Sequence, residues 1–168
     1  MQVEDGKTKE MEIENIVGTA VSEEIQVIGF KLENELVGIS IKEIVEITTD
    51  KNITPVPKSP EFVLGVMNLR GKIVPVATVK KKLGISENLP ENIYTENRII
   101  ILDTDFGEVG IIVDEIVGSI KFFEDDVLPE PIGTIGIETR HVKGVVQLGN
   151  NELLITLNTK TIFSREES

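Results

Sequence analysis

Val37-Gly38-Ile39-Ser40-Ile41-Lys42-Glu43-Ile44-Val45 returns 72 positions later as Val109-Gly110-Ile111-Ile112-Val113-Asp114-Glu115-Ile116-Val117, identical at six of nine places. Working outward, Pro55-Val56-Pro57 aligns with Pro129-Glu130-Pro131 at an offset of 74. Val63-Leu64-Gly65-Val66-Met67-Asn68-Leu69 aligns with Val142-Lys143-Gly144-Val145-Val146-Gln147-Leu148 at 79. The matches keep their order while the offset grows, as loop insertions would make it grow, and each contains Gly or Pro at a fixed place. This is an internal duplication. Each copy is too short to bury much by itself, which predicts two similar small barrels packed together with a groove between them.

Each copy reads as β-structure. Short apolar runs, Ile25 to Leu32, Leu36 to Ile41, Ile44 to Thr48, Val66 to Leu69 and Ile73 to Val79, are punctuated by turn residues, the pattern of a small barrel or sandwich. Glu33-Asn34 and Arg70-Gly71 sit where tight hairpins would, with Gly71 supplying a positive φ. Strand-like runs resume at Arg98 to Leu102, Val109 to Val113 and Ile116 to Phe123, after a polar connector from Gly84 to Asn97. The division predicted is a first lobe at about 25–83 and a second at about 98–163, preceded by an acidic tail over 1–24 that is either mobile or a frayed helix. Gly38 and Gly110, inside strand patterns, predict bends or bulges. Gly65 and Gly144 predict the same, or the close approach of another backbone.

Composition narrows the function. With 40% apolar residues the chain can build a core, and with 4% aromatics that core is filled by Val, Ile and Leu. A net charge of −12 disfavours nucleic acid and anionic membrane, which are bound through Lys- and Arg-rich surfaces. Lys80-Lys81-Lys82 is the one small basic spot, read as a solvated helical turn. The absence of cysteine excludes disulfides and thiolate metal sites. Without a signal-peptide pattern or a long apolar run, the expectation is a cytoplasmic protein with no membrane insertion.

Chemistry is sparse. The only histidine, His141, leaves no Cys/His pair, zinc cluster or two-histidine metal helix, and no Gly-x-Ser-x-Gly elbow occurs. His141 is read as an exposed strand residue near a turn. Asp103-Thr104-Asp105 reads as a hairpin with Gly107 in the strained position, against a magnesium site. Glu124-Asp125-Asp126 reads as a solvated loop, against paired acids for general acid/base work. The stretch from Gly65 to Gly71 lacks the Lys and Ser/Thr of a phosphate cradle. No catalytic residue, metal or cofactor is assigned. What stands out is Asn68-Leu69-Arg70-Gly71, which projects an Arg from a rigid turn, either as an interface anchor or as an incidental turn residue.

The stretch Pro60-Glu61-Phe62-Val63-Leu64-Gly65-Val66-Met67-Asn68-Leu69-Arg70-Gly71-Lys72-Ile73-Val74-Pro75-Val76 resembles the hallmark of the CheW family, the adaptors that couple chemoreceptors to the CheA histidine kinase. Val109-Gly110-Ile111-Ile112-Val113-Asp114 and Val142-Lys143-Gly144-Val145 resemble its second-half signatures, and the resemblance spans about Glu24 to Phe163. It implies an all-β fold of two five-stranded SH3-like β-barrel lobes with short helical turns. It also implies no catalysis, no cofactor, and a place in receptor arrays at the inner face of the membrane. Its implied partners are the regulatory domain of CheA and the helical cytoplasmic tip of a chemoreceptor, with a monomer expected for the isolated protein. Carried over by position, Ile44, Glu46, Gly65, Asn68, Leu69, Arg70 and Gly71 fall towards the receptor, and Thr49 falls towards the kinase. Ala77-Thr78-Val79-Lys80 departs from the family's usual Ile-Asp-Leu-Arg. Two other readings remain: the same fold coupling a non-chemotactic kinase pathway, or a small β-barrel ligand-binding protein using Asp103, Asp105 and His141.

Overall fold

A computed structural model describes residues 22–49, 52–85, 98–129 and 136–164. Most of the acidic tail, the polar connector beyond Ile85 and Glu130-Pro131 of the proline match lie outside the described residues.

Ten strands form two five-stranded sheets. The first copy contributes β1 (Glu24–Leu32), β2 (Glu35–Ser40), β3 (Ile44–Thr48), β4 (Val63–Leu69), β5 (Lys72–Ala77) and the one-turn helix α1 (Lys80–Leu83). The second contributes β6 (Arg98–Thr104), β7 (Gly107–Val113), β8 (Glu115–Phe123), β9 (Val142–Gln147), β10 (Leu153–Leu157) and the one-turn helix α2 (Thr159–Ile162). The element order repeats, as the duplication requires.

The sheets, however, do not follow the copies. One sheet runs β8-β1-β2-β10-β9 and the other β3-β6-β7-β5-β4. Each lobe therefore joins the first two strands of one copy to the last three of the other. We call the first sheet lobe A and the second lobe B. The sequential boundaries at 25–83 and 98–163 mark the repeats and not the lobes, which corrects the expected division. The reason is local. Between β2 and β3 stands only the 3-10 turn Ile41–Glu43, and between β7 and β8 only Asp114, and neither pair is joined as a hairpin. Both crossings carry the chain from one sheet to the other. In lobe A, β2 then lies parallel to β10 with Val37 opposite Ile155, and in lobe B, β5 lies parallel to β7 with Val76 opposite Gly110.

Each sheet also curls until its ends meet. Thr54, downstream of β3, bridges Val66 on β4 at the opposite edge of lobe B, with N–H to O distances of 2.8 and 2.9 Å. In lobe A, Leu128 donates to the Val145 carbonyl at 2.8 Å, and Val127 bridges Val146. Gly65 and Gly144 lie at these closures. A Cβ on Gly65 would stand 2.3 Å from the Thr54 carbonyl oxygen, and one on Gly144 would stand 3.0 Å from Val127 Cγ1. Both readings hold at Gly65, where the β4–β5 register shifts and the Thr54 backbone comes close, while at Gly144 the β9–β10 register shifts and the near neighbour is a side chain. Gly38 and Gly110 lie in continuous ladder register, so no bulge occurs at either. Added methyl groups would instead meet Val27 at 2.8 Å and Ile99 at 2.9 Å.

The largest apolar cluster lies between the lobes and draws on both, with Phe30, Val37 and Ile39 from lobe A against Ile100, Ile111 and Val113 from lobe B. Leu83 of α1 and Ile162 of α2 complete it. Smaller clusters fill lobe B around Met67, Val76 and Ile101, and lobe A around Val27, Phe122 and Leu154. A shared core of this size binds the lobes into one unit.

The basic triplet is not solvated as expected. Lys80 is buried, and its ammonium donates to Glu33 Oε2 at 2.6 Å and Asp114 Oδ1 at 3.0 Å. It thus ties α1 to the β1–β2 turn and to the β7–β8 crossing. Burial acts to lower its pKa, but hydrogen bonds and charges from Glu33 and Asp114 together outweigh burial and raise the pKa above 10.5. Lys82 donates to the Ile162 carbonyl at 2.6 Å and stands 4.8 Å from the Phe62 ring centroid. Only Lys81 reaches outward, to the exposed Glu61.

Candidate functional site: the β4–β5 hairpin and the outer face of β3

The hairpin Asn68-Leu69-Arg70-Gly71-Lys72 is built by its turn. Leu69 pairs with Lys72, leaving two residues to reverse the chain, and both have positive φ, 53° at Arg70 and 86° at Gly71. That is the primed turn whose twist matches flanking strands. Glycine adopts it freely, whereas arginine does so at a cost of about 1 kcal/mol. Gly71 N–H donates to Asn68 Oδ1 at 2.9 Å and locks the tip. Leu69 is buried beneath it.

Arg70 is thereby fixed in direction. Its side chain is 76% exposed, yet its guanidinium ion-pairs with Glu46 on β3. β3 and β4 are the outermost strands of lobe B, and the curl of the sheet brings the pair together. Three exposed apolar side chains on neighbouring strands were not assigned by sequence reasoning: Val45 and Ile47, which flank Glu46 along β3, 43% and 39% exposed, and Ile73 on β5, 65% exposed. Ile73 stands opposite the exposed Asn68 in the ladder. The signal was present in Ile44-Val45-Glu46-Ile47, which is apolar on both faces of a strand that can bury only one.

The candidate residues thus separate. Glu46, Asn68, Arg70 and Gly71 form one connected surface. Ile44 points inward and packs on the shared core, Leu69 supports the turn, and Gly65 serves the closure at Thr54. Thr49 is exposed at the end of β3.

The residues considered for ligand chemistry do not converge. Asp103 and Asp105 border a cleft of about 270 Å³ between the β6–β7 hairpin and α2. The hairpin is held by Thr104, whose hydroxyl donates to the Gly107 carbonyl at 2.7 Å and accepts from Phe106 N–H at 3.1 Å. His141 is not an exposed strand residue. It ends the 3-10 turn Thr139–His141, is fully buried, and lies with Nδ1 2.8 Å from Thr161 Oγ1, away from that cleft's lining. Among the described residues no group of three or more His, Cys, Asp or Glu could hold a metal ion, and no helix is long and apolar enough to cross a membrane.

A duplicated, strand-exchanged β-scaffold with an arginine-anchored, partly apolar surface defines a protein-interaction module. The chain belongs to the CheW-like domain family, which matches residues 26–167. It is 32% identical over 146 residues to the chemotaxis protein CheW of Treponema pallidum, covering 86% of this chain and 85% of that protein. It is 36% identical over 107 residues to the chemotaxis protein CheW of Thermotoga maritima, covering 62% and 66%. The crystal structure of the scaffolding protein TtCheW from Thermoanaerobacter tengcongensis superposes with a TM-score of 0.75 at 31% identity, over 87% of this chain and 97% of that one. These likenesses agree with the all-β expectation of two five-stranded lobes and with the family read from the hallmark stretch.

Proposed function

We propose that this protein is a chemotaxis adaptor that couples chemoreceptors to the CheA histidine kinase and performs no chemistry of its own. The observation that carries the reading is Arg70 on a locked turn, exposed but aimed by Glu46. A planar guanidinium held in place makes several hydrogen bonds to a partner without the entropy loss of a free side chain, while its stem covers apolar surface. The receptor tip is assigned to the face containing Glu46, Asn68, Arg70 and Gly71, with Ile73 beside them. The kinase's regulatory domain is assigned to the end of β3 at Thr49, extended by Val45 and Ile47.

Binding both partners at once raises their effective concentration and fixes their relative orientation, so that a receptor rearrangement biases the kinase. An interface of ordinary size buries roughly 800 Å² per partner and is dominated by a few anchors. The shared core suits this role, because a scaffold that bent between its lobes would transmit orientation poorly. The protein acts in the cytoplasm, as a monomer when isolated, and is recruited to arrays through its partners. The test is pairwise: affinity for a receptor cytoplasmic fragment and for CheA, measured with the native chain and with Arg70→Ala. The reading requires weakened receptor binding with retained kinase binding and is rejected if the receptor affinity is unchanged.

A further inference from the structure

The duplication repeats a side-chain cluster as well as strands, and the two copies of that cluster differ in one respect. Lys80 and Thr159 each open a one-turn helix, α1 and α2, at the offset of 79. Each helix meets a two-residue turn of the other copy, Glu33-Asn34 between β1 and β2 or Asp105-Phe106 between β6 and β7, at the repeat offset of 72. Each also meets a crossing between the sheets, through Lys80 to Asp114 and through Thr159 to Glu43. In one cluster the Lys80 ammonium fills the space between Glu33 and Asp114. In the other, Thr159 donates an uncharged hydroxyl to Glu43 Oε1 at 2.5 Å, and the cleft of about 270 Å³ lies beside it.

Among the described residues, three carboxylates line this cleft, those of Glu43, Asp103 and Asp105, against the single ammonium of Lys160. Lys160 stands 3.4 Å from Asp105 with its side chain 77% exposed, so the pair is screened by water and holds its cation weakly. Phe106, at the hairpin tip, is 52% exposed, and Phe163 joins it in the lining. Carboxylates beside aromatic rings suit a lysine, whose stem covers the rings while its ammonium takes the charge. This chain already contains both halves of that arrangement, in Lys80 between two carboxylates and in Lys82 at 4.8 Å from the Phe62 ring centroid.

The cleft continues the surface assigned above to the receptor. β5 lies parallel to β7, so the β4–β5 and β6–β7 hairpins emerge at the same end of lobe B, and Lys72 joins Glu108 there at 3.1 Å. Arg70 stands at one tip and Phe106 at the other. We propose that the cleft between the β6–β7 hairpin and α2 receives a lysine side chain of the bound receptor tip, and so selects receptors that carry a lysine beside their Arg70 contact. The inference rests on the adaptor reading and adds to it a determinant of which receptor is bound. The lysine takes the place that Lys80 holds in the other copy, its ammonium among Glu43, Asp103 and Asp105 and its stem on Phe106.

The test measures the affinity of the full chain for a receptor cytoplasmic fragment and for CheA. Asp103→Asn with Asp105→Asn is expected to weaken receptor binding about tenfold and leave CheA binding unchanged, whereas the same loss of charge on lobe A, Glu124→Gln with Asp125→Asn, is expected to change neither by more than about twofold. Thr159→Lys, which supplies an ammonium from within, is expected to weaken receptor binding as well. A receptor fragment with acetylated lysines is expected to bind the native chain and the Asp103→Asn, Asp105→Asn variant alike. Receptor binding undiminished in that variant, while Arg70→Ala weakens it, would overturn this inference and leave the adaptor reading standing. An acetylated fragment that still distinguishes the two chains would overturn the lysine. A native chain that binds no receptor fragment would instead overturn the adaptor reading, and this inference with it.

Discussion

Arg70, at the tip of the β4–β5 hairpin, ion-pairs with Glu46 on β3 across the seam where the two edges of lobe B meet. The pair is exposed on the arginine side, so its value to stability is small, about 0–1 kcal/mol by the usual measure of surface pairs. Its value lies in direction. Arg70→Ala should leave the unfolding free energy within about 1 kcal/mol of the native chain while weakening receptor binding at least tenfold, as loss of an anchor residue does. Chemical denaturation and titration with a receptor fragment separate the two effects.

Arg70→Gly probes the same turn from the backbone side. A φ of 53° costs arginine what glycine does not pay, so this variant should be as stable as the native chain or up to about 1 kcal/mol more stable, and still bind receptor poorly. A stabilised protein with impaired binding would mark strain retained for function.

Closure of the lobes can be graded with two matched substitutions. Gly65→Ala places a methyl group against backbone at 2.3 Å, where nothing can yield cheaply, and should cost on the order of 3 kcal/mol. Gly144→Ala meets a valine methyl at 3.0 Å and should cost about 1 kcal/mol. Thermal unfolding of both variants reads the difference directly.

Lys80 connects elements that the sequence keeps 47 and 34 residues apart, Glu33 and Asp114. Lys80→Met removes the cation and leaves two partly buried carboxylates facing each other, at a cost of about 2–4 kcal/mol. The pH dependence has a definite sign. Because the folded pKa lies above 10.5, the stabilisation is fully present below the unfolded value and is lost as pH rises through the folded one. Native stability should therefore be flat with respect to this group through neutral pH and fall above about pH 10.5, and Lys80→Met should remove that component of the alkaline decline.

Much of this was legible beforehand. The nine-residue repeat at Val37 and Val109 revealed the duplication, and the turn at Arg70-Gly71 revealed the hairpin. The exchange of strands was not legible, for a physical reason. β2 and β7 carry the same Val-Gly-Ile pattern, so either could receive β5 or β10, and nothing in that pattern distinguishes the two pairings. Lys80 read as solvated because the acids that bury it lie far away in sequence. His141 read as exposed because alternation predicts nothing about a 3-10 turn folded under α2. Within the candidate site, the polar residues announced themselves, whereas Val45 and Ile47 were hidden inside an apolar run.

The most direct test of the adaptor reading is co-sedimentation of CheA with receptor cytoplasmic fragments assembled on vesicles, with and without this protein. The account predicts that kinase enters the pellet only when the protein is present, and that Arg70→Glu, though folded, leaves it in the supernatant. Kinase that pellets equally well without the protein, or that is recruited undiminished by Arg70→Glu, would contradict it.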